Sequence, residues 1–145
     1  MALILSLIGG DGIEDAKGTL NGGSCTDPAS RSGVRTITIT GDNIIHFVCY
    51  NMDLTEFDVR DCPSLERLFI QDNLLTSLDV SVCSDLEWLV IAGNKFEADA
   101  LNFLFESLPN YTVPDTGWII ILDNPGEDDC DTTKIPSGWT ITDDW

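Results

Sequence analysis

The sequence predicts an α/β solenoid, mostly β, with about four strands on a concave side and one helix in a C-terminal cap. The first observation behind this is repetition. Residues 54–74 read LTEFDVRDCPSLERLFIQDNL and residues 75–95 read LTSLDVSVCSDLEWLVIAGNK. At a shift of 21 residues Leu54 falls on Leu75, Asp58 on Asp79, Val59 on Val80, Cys62 on Cys83, Leu65 on Leu86, Leu68 on Leu89, Ile70 on Ile91 and Asn73 on Asn94. A period in the twenties marks units that bury their apolar side only against their neighbours. The second observation is alternation within each unit. Leu68 with Ile70, and Leu89 with Ile91, have the period of a strand with one side buried. The third is a single helical stretch, 97–107, where Ala98, Leu101, Leu104 and Phe105 recur at helical spacing. Glu97 and Asp99 suit its N-terminal end, and Pro109 closes it.

Degenerate copies extend the array on both sides. Ile44, Phe47 and Cys49 fall on Leu65, Leu68 and Ile70, with Met52 where Asn is expected. Runs 34–40 and 44–49 read as strands joined by Gly41-Asp42-Asn43. Downstream, Ile119, Ile121 and Asn124 repeat Leu89, Ile91 and Asn94 at a spacing of 30, because the helix intervenes. The Asn that ends each unit suits a sharp turn. Its amide can bond backbone groups that the turn leaves unpaired, and stacked copies can do so in series. The chain divides into an N-terminal arm or anchor (1–32) and a repeat domain (33–145). The latter comprises an edge unit (33–53), two regular repeats (54–95) and a C-terminal cap (96–145).

Each regular unit contains L-x-x-L-x-I-x-x-N, and this pattern resembles the leucine-rich repeat family. The segments LTEFDVR and LTSLDVS are similar to the short repeats of bacterial, Bacteroides-type surface proteins. ESLPNYTVPDTGWIIILDNPGEDDC, with the later GWTI, looks like the C-terminal cap of the same family. The resemblance implies a right-handed coil and a place at the cell surface, in adhesion.

Charge narrows the partners. Seven basic residues face 25 acidic ones, for a net charge of −18. Such a chain repels nucleic acid and anionic membranes and is highly solvated. MALILSLIGG has no Lys or Arg before Lys17, and its apolar run is too short for a transmembrane helix. It reads as neither signal peptide nor membrane span. Cys62 and Cys83 share a repeat position and read as small buried fillers, and Cys49 takes a core strand position. Cys25 and Cys130 lie in polar loops, and their disulfide state is open.

Nothing assembles into a catalytic set, and no cofactor is indicated. His46 and Cys49 lie an odd number of positions apart on one strand and so point to opposite faces. No G-x-S-x-G and no phosphate-cradling loop occurs. Glu127, Asp128, Asp129 and Asp131 cluster after Asn124-Pro125-Gly126. Asp128, Asp129 and Asp131 are candidate Ca²⁺ ligands, but their spacing is not that of an EF-hand, and a solvated acidic loop is the plainer reading.

The strand register names the side chains that face away from the core. One row reads Val48, Phe69, Val90, Ile120; a second reads His46, Arg67, Trp88, Trp118; a third reads Tyr50, Gln71, Ala92, Leu122. A surface meant for water would not carry so many apolar and aromatic residues, and patches of this kind mark interaction sites. The candidate partner-binding residues are Val48, Tyr50, Arg67, Phe69, Trp88, Val90, Trp118 and Ile120. Leu3, Ile4, Leu5, Leu7 and Ile8 form a candidate docking arm that either covers this face or adds to a neighbour's sheet edge. The expected function is protein recognition or assembly without catalysis, through a protein partner or self-association. The alternatives are a structural or decoration component of a virion or other large assembly, and a glycan-binding adhesin domain using Ca²⁺.

Overall fold

Leu68 and Leu89 lie opposite each other in two short parallel strands, and the rest of the structure extends outward from this pair. The computed structural model describes residues 3–8, 17–20, 23–26, 36–40 and 44–143, with side chains for Ile39 and for 44–143. The strands are β1 (Leu3–Ile8), β2 (Lys17–Leu20), β3 (Gly23–Thr26), β4 (Thr36–Thr40), β5 (Ile44–Tyr50), β6 (Glu56–Asp61), β7 (Arg67–Phe69), β8 (Trp88–Val90), β9 (Gly117–Ile120) and β10 (Trp139–Ile141). Helix α1 spans Ala98–Ser107, and a 3₁₀ turn spans Thr132–Lys134. The strands expected at 34–40 and 44–49 and the helix expected at 97–107 correspond to β4, β5 and α1.

Six strands form one parallel sheet in the order β1-β5-β7-β8-β9-β10. Four form a second sheet in the order β2-β3-β4-β6, antiparallel except for the β4–β6 pair. The larger sheet is open, with β1 and β10 as its edges, and it is neither closed nor curled. This overturns the expectation of a right-handed coiled solenoid with about four strands on a concave side. Coiling accumulates when every unit adds the same small rotation. Here the return segments differ: β6 joins the second sheet, the stretch between β7 and β8 has no regular element, and α1 connects β8 to β9.

The core lies on one side of the parallel sheet. Phe47, Leu68, Leu89 and Ile119 are aligned across it and fully buried. Beneath them the repeat pairs Leu65 with Leu86, Val59 with Val80 and Cys62 with Cys83 are fully buried as well. Leu101, Leu104 and Phe105 add the apolar side of α1. Each such aliphatic side chain contributes about 1.5–3 kcal/mol by leaving water. Cys49, Cys62 and Cys83 are buried, and burial pushes the Cys83 thiol up to about 12.

Three buried asparagines hold successive strand ends together. Asn73 Nδ2 donates to Cys49 O (2.9 Å) and Ile70 O (3.0 Å), while its Oδ1 accepts from the N–H groups of Met52 and Leu54. Asn94 donates to Ile70 O (2.9 Å) and Ile91 O (3.0 Å) and accepts from Leu75 N–H (3.1 Å). Asn124 donates to Ile91 O (3.0 Å) and Ile121 O (2.8 Å) and accepts from Phe96 N–H (3.1 Å). The residue before each is left-handed: Asp72 (φ 55°), Gly93 (φ 65°) and Asp123 (φ 59°). Asp and Gly tolerate that turn. Gly93 also lies against Asp72, where a Cβ would stand 2.5 Å from the Asp72 carboxylate.

The C-terminal edge is sealed by Trp139. Its ring covers Gly117, where a Cβ would stand 2.5 Å from the indole, and its Nε1–H donates to Pro109 O at 2.7 Å. Tyr111 packs beside it (ring centroids 6.1 Å apart) and donates its hydroxyl to Leu86 O at 2.5 Å.

Candidate functional site: the outer face of the parallel sheet

Because Phe47, Leu68, Leu89 and Ile119 point into the core, the residues on either side of each point to the opposite, outer face. The register aligns His46 with Arg67, Arg67 with Trp88 and Trp88 with Trp118. It likewise aligns Val48 with Phe69, Phe69 with Val90 and Val90 with Ile120. Tyr50, Gln71, Ala92 and Leu122 continue the alternation. None of these positions carries a carboxylate.

Two ring contacts run diagonally between the rows, and a third joins register partners within one row. His46 and Phe69 have centroids 5.2 Å apart, Phe69 and Trp88 6.4 Å, and Trp88 and Trp118 5.4 Å. All are tilted, the arrangement aromatic quadrupoles prefer over a face-to-face sandwich. Val48, Tyr50, Phe69, Trp88 and Trp118 are half-buried, and Arg67 is exposed.

Val90 and Ile120 are different. Both are fully buried and, with Ala92, form a second apolar cluster against which Phe69, Trp88 and Leu122 pack. The expectation that they present a surface is therefore corrected. They lie between large neighbours and form the floor on which the aromatic side chains rest. The signal was available in the sequence: WLVIA (88–92) and WIIIL (118–122) are unbroken apolar runs, typical of strands buried on both faces.

Polar groups on this face are incompletely used. His46 Nε2, Gln71 Oε1 and Trp88 Nε1 are covered and have no hydrogen-bond partner among the described residues. Burial, and then the positive charge of Arg67, hold the His46 imidazole below its ordinary value of 6.5.

The remaining candidates fall elsewhere. Leu3, Ile4, Leu5, Leu7 and Ile8 belong to β1, whose backbone pairs with β5 of the same chain, Leu5 opposite Phe47 and Leu7 opposite Cys49. Their side chains lie outside the described residues, as does that of Cys25. Asp128, Asp129 and Asp131 form no metal-binding group, since no cluster of three or more His, Cys, Asp or Glu poised for a metal occurs among the described residues. Asp128, Asp129 and Asp131 are exposed, and two of the loop's carboxylates bond nearby groups of their own chain. Glu127 accepts from Asp123 N–H (2.7 Å), and Asp131 caps the 3₁₀ turn through Thr133 N–H (3.1 Å) and Thr133 Oγ1 (2.6 Å).

On the far side, Glu56, Phe57, Asp58, Arg60, Ser77, Leu78 and Asp79 line an open groove. Within it Arg60 Nε and Nη2 donate to the two Asp58 oxygens at 2.9 and 2.7 Å. That hydrogen bonding holds the Asp58 carboxyl below its usual range. No helix among the described residues is long and apolar enough to cross a membrane. No family model, no curated protein and no solved structure matches the chain.

Proposed function

We propose that this chain is a non-enzymatic protein-recognition or assembly module that engages its partner through the outer face of the parallel sheet. The observation that carries this reading is a run of partly exposed aromatic side chains over a second apolar cluster. A chain with 25 acidic residues keeps every carboxylate off these rows. Aromatic and Arg side chains over a desolvated floor are the composition of interface hot spots. The likeness of the repeats to those of bacterial leucine-rich-repeat surface proteins agrees with a recognition role.

The test is a selection of displayed peptides against the full chain, followed by titration of the enriched peptides against Phe69→Asp and Trp88→Ala. Both substitutions lie on the outer face and leave the row of Phe47, Leu68, Leu89 and Ile119 intact. The expected result is a tenfold or greater loss of affinity in each variant. Peptides that bind both variants as tightly as the parent would locate recognition elsewhere and overturn the reading.

A further inference from the structure

Arg67 specifies the ligand more narrowly. It stands exposed on the face, aligned with His46 on one side and Trp88 on the other. Acidic residues outnumber basic ones 25 to 7, and Arg60 and Lys134 each hold a carboxylate, Asp58 and Glu106 respectively. No carboxylate among the described residues pairs with the exposed Arg67, whose guanidinium carries five N–H donors. Beside it, the covered indole Nε1–H of Trp88 has no acceptor among the described residues. An indole nitrogen can only donate.

We infer that Arg67 and Trp88 form a carboxylate-recognising spot within the aromatic face. The partner is an extended protein segment presenting one acidic side chain flanked by apolar ones. This rests on the recognition reading above and adds the chemistry of the ligand. The guanidinium fork matches a carboxylate in two parallel hydrogen bonds. Arg67 is exposed and makes the first contact. Trp88 Nε1 is covered in the free chain, so its donation follows a turn of the indole. Phe69 and Trp118, next to Trp88, receive the flanking apolar side chains.

The net charge of −18 opposes any anion at long range, but exposed charges beyond about 8 Å are largely screened at physiological salt. Arg67 acts at contact. A singly charged carboxylate meets less of the residual repulsion than a doubly charged phosphate, which is why the carboxylate is the ligand.

The experiment uses the ¹⁵N-labelled full chain and two acetylated, amidated pentapeptides, Val-Thr-Glu-Thr-Val and Val-Thr-Gln-Thr-Val. In an extended peptide the two Val side chains and the central residue share one side. The Glu peptide is expected to bind about fivefold more tightly than the Gln peptide, to shift the Trp88 indole N–H resonance, and to lose its advantage in Arg67→Gln. Equal affinities for the two peptides, with Trp88 and Trp118 still shifting, would overturn the carboxylate preference and leave the recognition face standing. If neither peptide perturbed Trp88 or Trp118, both would fall.

Discussion

Asn73 and Asn94 donate to the same backbone carbonyl, that of Ile70, at 3.0 and 2.9 Å. One step along, Asn94 and Asn124 share the carbonyl of Ile91 in the same way, each at 3.0 Å. Each side-chain amide thus closes its own turn and binds the preceding one, giving a continuous polar ladder inside an apolar core. Buried networks of this kind are strong when complete and costly when broken.

Asn94→Ala therefore leaves several buried backbone groups without partners. The expected loss is about 3 kcal/mol, read as a fall in the urea midpoint with an unchanged slope. A loss well under 1 kcal/mol would mean that the ladder is incidental.

At the C-terminal edge the constraint is steric. Gly117→Ala places a methyl group 2.5 Å from the Trp139 ring. The ring cannot retreat without losing its bond to Pro109 O. A destabilisation of about 1–3 kcal/mol is expected, with a red shift of tryptophan emission as Trp139 meets water. Wild-type stability and emission would contradict the packing.

The ladder was legible because L-x-x-L-x-I-x-x-N places the amide at the same point of every unit, and a single residue at a fixed point is a local pattern. The outer rows were legible for the same reason: alternation fixes which of Arg67, Leu68 and Phe69 point together. The open sheet was not. Register decides which residues pair, whereas curvature is the sum of small rotations set by the return segments, and these differ between β6 and α1. The seal of Trp139 over Gly117 was also invisible, since the contact joins two strands with no shared repeat position. The burial of Val90 and Ile120 was written in WLVIA and WIIIL but outweighed by the alternation rule.

His46 gives the face a pH dependence. Its imidazole is held below 6.5 in the folded chain by burial and by Arg67, so the unfolded chain takes up that proton first as pH falls. Folding stability from this group is intact above about pH 6.5 and declines below it, down to the folded value. Carboxylates titrate at lower pH in both wild type and variant, so the difference against His46→Gln isolates the imidazole. Between about pH 7.5 and pH 5.5 the wild type is expected to lose stability relative to the variant. Parallel profiles would contradict the assignment.

The thiols make a separate test. Cys49, Cys62 and Cys83 are buried, whereas Cys130 is half-exposed and donates to Glu127 O at 3.2 Å. Brief alkylation of the native chain followed by peptide mapping is expected to modify Cys130 well before those three. Cys83, pushed up to about 12 by burial, is expected to react only on unfolding. Native labelling of Cys62 or Cys83 at the denatured rate would contradict the stacked core.

The most direct measurement on the recognition face is the set of indole N–H resonances during titration with a selected peptide. Trp139 Nε1–H is committed to Pro109 O, while Trp88 Nε1–H has no acceptor among the described residues. The expected result is that Trp88 and Trp118 shift with increasing peptide while Trp139 stays in place. A titration that moves Trp139 and leaves Trp88 and Trp118 unchanged would contradict a binding role for the outer face.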